Sequence, residues 1–136
     1  NIARALQQAP KVYFYDTAMV NDATESQGLR FENAVATMLL KHVEFLQDGQ
    51  AAPVGLHYVR NKDGAEIDFA LSNGPALTHL IECKWADDQP HRAFATFMPQ
   101  WPKAEAIQLV RHLRSPELRR GVRIQDAAGW LMGLAA

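Results

Sequence analysis

From Ser26 to Gln47, apolar residues return at the helical period: Phe31, Val35, Met38, Leu39, Phe45 and Leu46, with His42 in the same stripe. The spacing predicts an amphipathic helix ended by "QDGQAAP". The period then shortens. "GLHYVRN" reads as a strand and "KDG" as a turn. "AEIDFAL" alternates, with Ala65, Ile67, Phe69 and Leu71 on one side and Glu66, Asp68 and Ala70 on the other. "SNGPA" is a second turn. "LTHLIECKW" is a more apolar strand, expected near the centre of a sheet. After Pro90, Phe94 and Phe97 mark a helix that stops near "MPQWP". "AIQLVRH" is read as a strand in preference to a helix. "GVRIQDAAGWLMGLAA" reads as a short strand and a helical turn. At the start, "IARALQQAP" is read as the end of a helix stopped by Pro10, and "KVYFYDTAM" as a short β-rich run. The order predicts an α/β domain: a mixed four-stranded sheet flanked by helices, as helix–three strands–helix–strand.

Composition narrows the class. The chain has 136 residues, 48% hydrophobic and 21% charged, which suits one folded domain and excludes a disordered one. No apolar run approaches the roughly 20 residues of a membrane helix. The first residues show neither an initiator Met nor a signal peptide, so the chain reads as a fragment of a longer protein. A lone cysteine, Cys83, excludes an internal disulfide and fits a reducing cytoplasm. The net charge of −1 excludes a uniformly basic surface for nucleic acid. Local basic patches remain: "RHLRSPELRR" at 111–120 holds four arginines.

Against this background, three acids stand out. Strand alternation projects Glu82 and Lys84 together, with Ile81, Cys83 and Trp85 facing the other way. A hairpin through "SNGPA" can place Asp68 opposite Glu82. The same register pairs Leu71 with His79 and Ser72 with Thr78, and leaves 73–77 as the loop. Facing carboxylates repel unless a cation lies between them. Glu32 lies roughly 60° from Val35 on a helical wheel, at the edge of the apolar stripe, where a carboxylate is expensive without a partner. Glu32, Asp68 and Glu82 are therefore expected in one site beside Lys84. Oxygen ligands of this kind suit Mg²⁺ or Mn²⁺.

Glu32, then Asp68 in "AEIDFAL", then "ECK" at Glu82–Lys84 resemble the core of the PD-(D/E)xK nucleases, which have a restriction-endonuclease-like fold. "KVYFYDTAM", "GLRFENAVATMLL", "HYVRNKDGAEIDFAL" and "LIECKW" together resemble the C-terminal nuclease-like domain of prokaryotic AAA-type ATPases of uncharacterised function. The resemblance spans about residues 10–115. It implies a preceding ATPase and winged-helix part, with 1–20 as linker and strand and 21–136 as the nuclease-like domain; ATP would bind only in the preceding part. Carried over, Asp68, Glu82 and the Cys83 backbone carbonyl would be metal ligands, Lys84 the catalytic lysine, and Glu32 a ligand directly or through water. Cys83 stands where the pattern usually has an aliphatic residue. Gln89 and Gln100 are no more than candidates for the glutamine-based helix motif of some relatives, so the resemblance does not extend to the helicase-associated subtypes.

Two functions follow. One is a Mg²⁺- or Mn²⁺-dependent DNA phosphodiesterase, endo- or exonucleolytic, working beside its own ATPase domain. The other is an inactive nuclease-fold module that binds DNA, a partner or that ATPase. Self-association is left open by the sequence. Arg60 and Lys62 are candidates for phosphate contact, or solvated turn residues. His57, His79, His91 and His112 lack zinc-ligand spacing. Trp85, Trp101 and Trp130 read as core or interface residues.

Overall fold

The computed structural model describes residues 6–7 and 26–134. In chain order the elements are β1 (Leu6–Gln7), α1 (Ser26–Gln50), β2 (Val54–Arg60), β3 (Glu66–Asn73), β4 (Ala76–Lys84), α2 (Ala93–Phe97) with a 3₁₀ turn at Met98–Gln100, β5 (Glu105–Val110), β6 (Glu117–Arg119), β7 (Val122–Asp126) and α3 (Ala127–Leu134). They form a mixed α/β domain around one sheet of order β1-β2-β3-β4-β5-β7-β6. β2, β3 and β4 are an antiparallel meander, β5 runs parallel to β4, and β7 runs parallel to β5.

Among the described residues the sheet therefore has seven strands, or six without the two-residue β1, and not four. The strand at the far edge that the pattern does not predict is β6, in "ELRRGV", beside the short strand expected in "GVRIQD". Arg120 and Gly121 take positive φ of 50° and 79°, which folds β6 back on β7 as a tight hairpin. Leu6 and Gln7 pair with β2 as a strand, so that part of "IARALQQAP" is not a helix end. The expected β-run "KVYFYDTAM" lies outside the described residues.

Alternation along β4 and β5 makes two apolar layers. Phe69, Leu71, Ile81, Ile107 and Leu109 pack under α1 and α3, against Val35, Leu39, Val43 and Leu131. Val59, Ile67, Ala70, Leu80 and Val110 pack under α2, against Phe94, Phe97 and Trp101. Phe94 and Phe97 are fully buried, each contributing on the order of 2–3 kcal/mol of apolar transfer.

Two bulges modify the expected hairpin. Between His57↔Ala70 and Val59↔Ile67, Asp68 and Phe69 together oppose Tyr58. Ile67 and Phe69 consequently face opposite layers, instead of sharing one side. On the other flank, Leu71 pairs with His79 as expected, but Ser72 pairs with Leu77 and Asn73 with Ala76. Thr78 is the extra residue, its hydroxyl donating to the Leu71 carbonyl at 3.0 Å. The connection is thereby the two-residue turn Gly74–Pro75 and not a loop over 73–77; Gly74 supplies the positive φ of 60°. No helix among the described residues is long and apolar enough to cross a membrane.

Candidate active site

The bulge sits where the chemistry is expected. An extra residue in an antiparallel pair interrupts the ladder and re-aims side chains. Asp68 shares that bulge on the β2 side, and on the β4 side the two acids carry the pairing on beyond Phe69↔Ile81 with their own side chains. The Asp68 N–H donates to Glu82 Oε1 at 2.9 Å. The Cys83 N–H donates to Asp68 Oδ2 at 2.9 Å. Each carboxylate is thus held by a backbone N–H of the opposite strand, and the two acids are immediate neighbours.

Glu82 is only 5% exposed, the one acidic or basic residue buried among the described residues. Its outer oxygen, Oε2, lies 3.8 Å from Lys84 Nζ and 3.6 Å from His91 Nε2. Burial, and then the Asp68 charge, push the Glu82 carboxyl up to about 9; the Asp68 N–H and the Lys84 ammonium oppose this only in part. At neutral pH the acid pair therefore carries one proton between its two members. His91 moves the other way. Burial lowers its pKa, followed by the Lys84 charge, against the raising effect of Asp68 and Glu66.

His91 and Gln108 are members of this neighbourhood that the sequence reading did not single out. Gln108 is fully buried on β5, directly beside Glu82 in the parallel register. Its amide nitrogen donates to the carbonyls of Asp87 at 3.0 Å and Gln89 at 2.7 Å, and its oxygen accepts the His91 N–H at 2.8 Å. One sequence signal existed: a glutamine in the middle of the apolar run "AIQLV" must have partners if that run is buried.

The remaining candidates lie around this centre. Glu32 is half-buried on α1, next to Phe31, whose ring meets Trp85 edge-on at 6.1 Å. α1 buries its apolar stripe on the Cys83 side of the sheet, away from the layer of α2. Among the described residues, no group of three or more His, Cys, Asp or Glu side chains is disposed to hold a metal ion. The structure thus brings together Asp68, Glu82 and Lys84, and does not gather Glu32 with them into a three-acid group. Cys83 is half-buried against the α1 layer. Arg60 ends β2 opposite Glu66, and Lys62 is exposed in the following turn. Arg111 lies over the Trp85 ring at 4.2 Å, and Arg119 meets Glu117 at 3.1 Å and Asp88 at 3.7 Å. Trp101 is core, stacked on Phe97 at 6.2 Å. Gln89 lies in the loop before α2, and Gln100 in the 3₁₀ turn.

A family profile described as a domain of unknown function (DUF4143) matches residues 27–125. The chain belongs to this family. The match runs from the start of α1 through β7 and includes Glu32, Asp68, Glu82, Lys84, His91 and Gln108. No curated protein and no solved structure matches the chain at a significant level. The chemistry of this DUF4143 domain must accordingly be argued from its own atoms.

Asp68 and Glu82 are two oxygen-donor side chains of the type a hard divalent cation takes, without a third acid beside them among the described residues. Glu82, whose pKa is raised first by burial and then by the Asp68 charge, would be relieved by a dication standing in place of its proton. One or two carboxylates with water completing the shell is the usual protein contribution to a Mg²⁺ site.

Proposed function

We propose that this domain is a Mg²⁺- or Mn²⁺-dependent phosphodiesterase acting on DNA, built on a restriction-endonuclease-like core. The observation that carries the proposal is the Asp68–Glu82 pair: two carboxylates locked by mutual backbone hydrogen bonds beside Lys84, in surroundings that disfavour two negative charges without a cation. The order acid on α1, Asp on β3 and Glu-x-Lys on β4 supports the PD-(D/E)xK reading. The same resemblance supports a place beside an AAA-type ATPase in the whole protein.

In this reading Asp68 and Glu82 would hold the ion, with the Cys83 carbonyl and Glu32 as further oxygen donors, Glu32 directly or through water. When bound, such an ion lowers the pKa of water and polarises a phosphoryl oxygen. Lys84, at the end of β4, would orient the attacking water or stabilise charge developing on phosphate. Burial of Glu82 lowers the dielectric around its own carboxylate and strengthens the interactions made there.

A second reading has its own support. Asp68 and Glu82 are already satisfied by backbone N–H groups, and the group counts two acids, not three. A nuclease-fold module that binds DNA, a partner or its ATPase without cleaving would keep the pair as structure alone. The separating experiment uses the full-length protein with Mg²⁺ or Mn²⁺ on single-stranded, duplex and branched DNA. The enzyme reading expects cleavage by wild type and its loss in Lys84→Ala, with an unchanged circular-dichroism spectrum. Uncut DNA throughout would leave the binding module.

A further inference from the structure

Gln108 raises a question the acid pair does not answer. Why is a glutamine fully buried in the centre of a parallel strand? All three of its hydrogen bonds go to one segment, 87–91, which has no helical or strand ladder of its own. A leucine of similar shape would leave two carbonyls and one N–H of that segment unpartnered. Gln108 is therefore the anchor of a strap laid across the sheet at Glu82. The strap's end product is the position of His91.

The tautomer of His91 follows from its other contact. The Ala93 N–H donates to His91 Nδ1 at 3.2 Å, so Nδ1 carries a lone pair and the ring proton belongs on Nε2. Nε2 lies 3.6 Å from Glu82 Oε2, beyond hydrogen-bond length. Its N–H thus has no acceptor at bonding distance among the described residues. Lys84 Nζ stands 3.8 Å from the same oxygen. Two N–H donors, one neutral and one charged, converge on the outer side of one carboxylate, and both side chains are partly exposed, 25% and 34%. A donor left short of its carboxylate, beside an ammonium group at a partly open site, is suited to a ligand oxygen.

We propose that His91 Nε2–H donates directly to a phosphate oxygen of the nucleic acid bound at Asp68, Glu82 and Lys84, and that Gln108 is the positioning residue that holds it there. The proposal rests on the phosphodiesterase reading above and extends it to a substrate contact. Neutral histidine suits this role: it adds a directed hydrogen bond without a second fixed positive charge next to Lys84.

The test uses full-length protein with Mg²⁺ and a fluorescent single-stranded oligodeoxynucleotide. Binding is read by anisotropy, and the His91 ring by ¹⁵N NMR. Wild type should show the Nε2–H tautomer, and its ring signal should shift on adding the oligonucleotide. His91→Ala should weaken binding about ten- to a hundredfold, the effect of losing one hydrogen bond to a charged group. His91→Gln should recover most of the affinity, because its amide nitrogen reaches about the place of Nε2. Gln108→Leu should weaken binding and lose the single tautomer. Equal binding by wild type and His91→Ala, or no recovery in His91→Gln, overturns the proposal while leaving the phosphodiesterase reading intact. Failure of wild type to take up Mg²⁺ or cleave any DNA refutes that reading instead. Failure to bind the oligonucleotide at all refutes both.

Discussion

Replacing Glu82 by Gln probes the site without any ligand. The unfolded chain loses the Glu82 proton near 4.5, whereas burial and Asp68 hold it in the folded protein up to about 9. Between those values the folded state binds one more proton than the unfolded state. Stability then falls as pH rises, by about 1.4 kcal/mol per pH unit, and levels off above the folded pKa. His57, His79 and His91 are all lowered by burial, so their contribution has the opposite sign: it is present above about 6.5 and lost as pH falls below it. From pH 7.5 to 8.5 the histidines are neutral in both states and the acid pair acts alone. Gln has the shape of the protonated acid and can still accept the Asp68 N–H. Urea denaturation of wild type should lose about 1.4 kcal/mol over that unit of pH, a midpoint shift of about 0.5–1.4 M. Glu82→Gln should stay flat. Equal pH dependence in the two proteins would refute the shared proton and the electrostatic argument built on it.

Three further outcomes are expected. Mn²⁺ binding near pH 7 should release close to one proton, and apparent affinity should rise about tenfold per pH unit up to about pH 8.5; calorimetry in buffers of different ionisation enthalpy reads both. Gln108→Leu should cost about 2–4 kcal/mol in urea denaturation, because three backbone groups of the 87–91 strap lose their partner. Phe94→Ala, in the layer that supports the strap's far end, should cost about 3–5 kcal/mol in the same assay.

Much of the hairpin was legible in the sequence because one physical rule governs it. Strand alternation put Glu82 and Lys84 on one face, and setting Asp68 opposite Glu82 across the hairpin paired Leu71 with His79, as observed. α1 and the strand β5 also follow from their apolar periods. The bulge at Asp68–Phe69 was not legible. Alternation assumes that the ladder is continuous, and an extra residue changes no residue type while turning Ile67 to the other layer. The β6–β7 hairpin was half seen. Arg120–Gly121 carries the turn, but three-residue β6 is too short for any period to show. His91 escaped because its place at Glu82 depends on Gln108, 17 residues later, through side chain to backbone bonds that leave no local pattern.

The most direct test of the central claim is a calorimetric titration of Mn²⁺ into full-length wild-type protein and Asp68→Asn at pH 8. If the neighbouring acids of β3 and β4 form a cation site, wild type takes up the ion and the asparagine variant loses that uptake. A wild type that binds no Mn²⁺, or a variant that binds it equally well, contradicts the account.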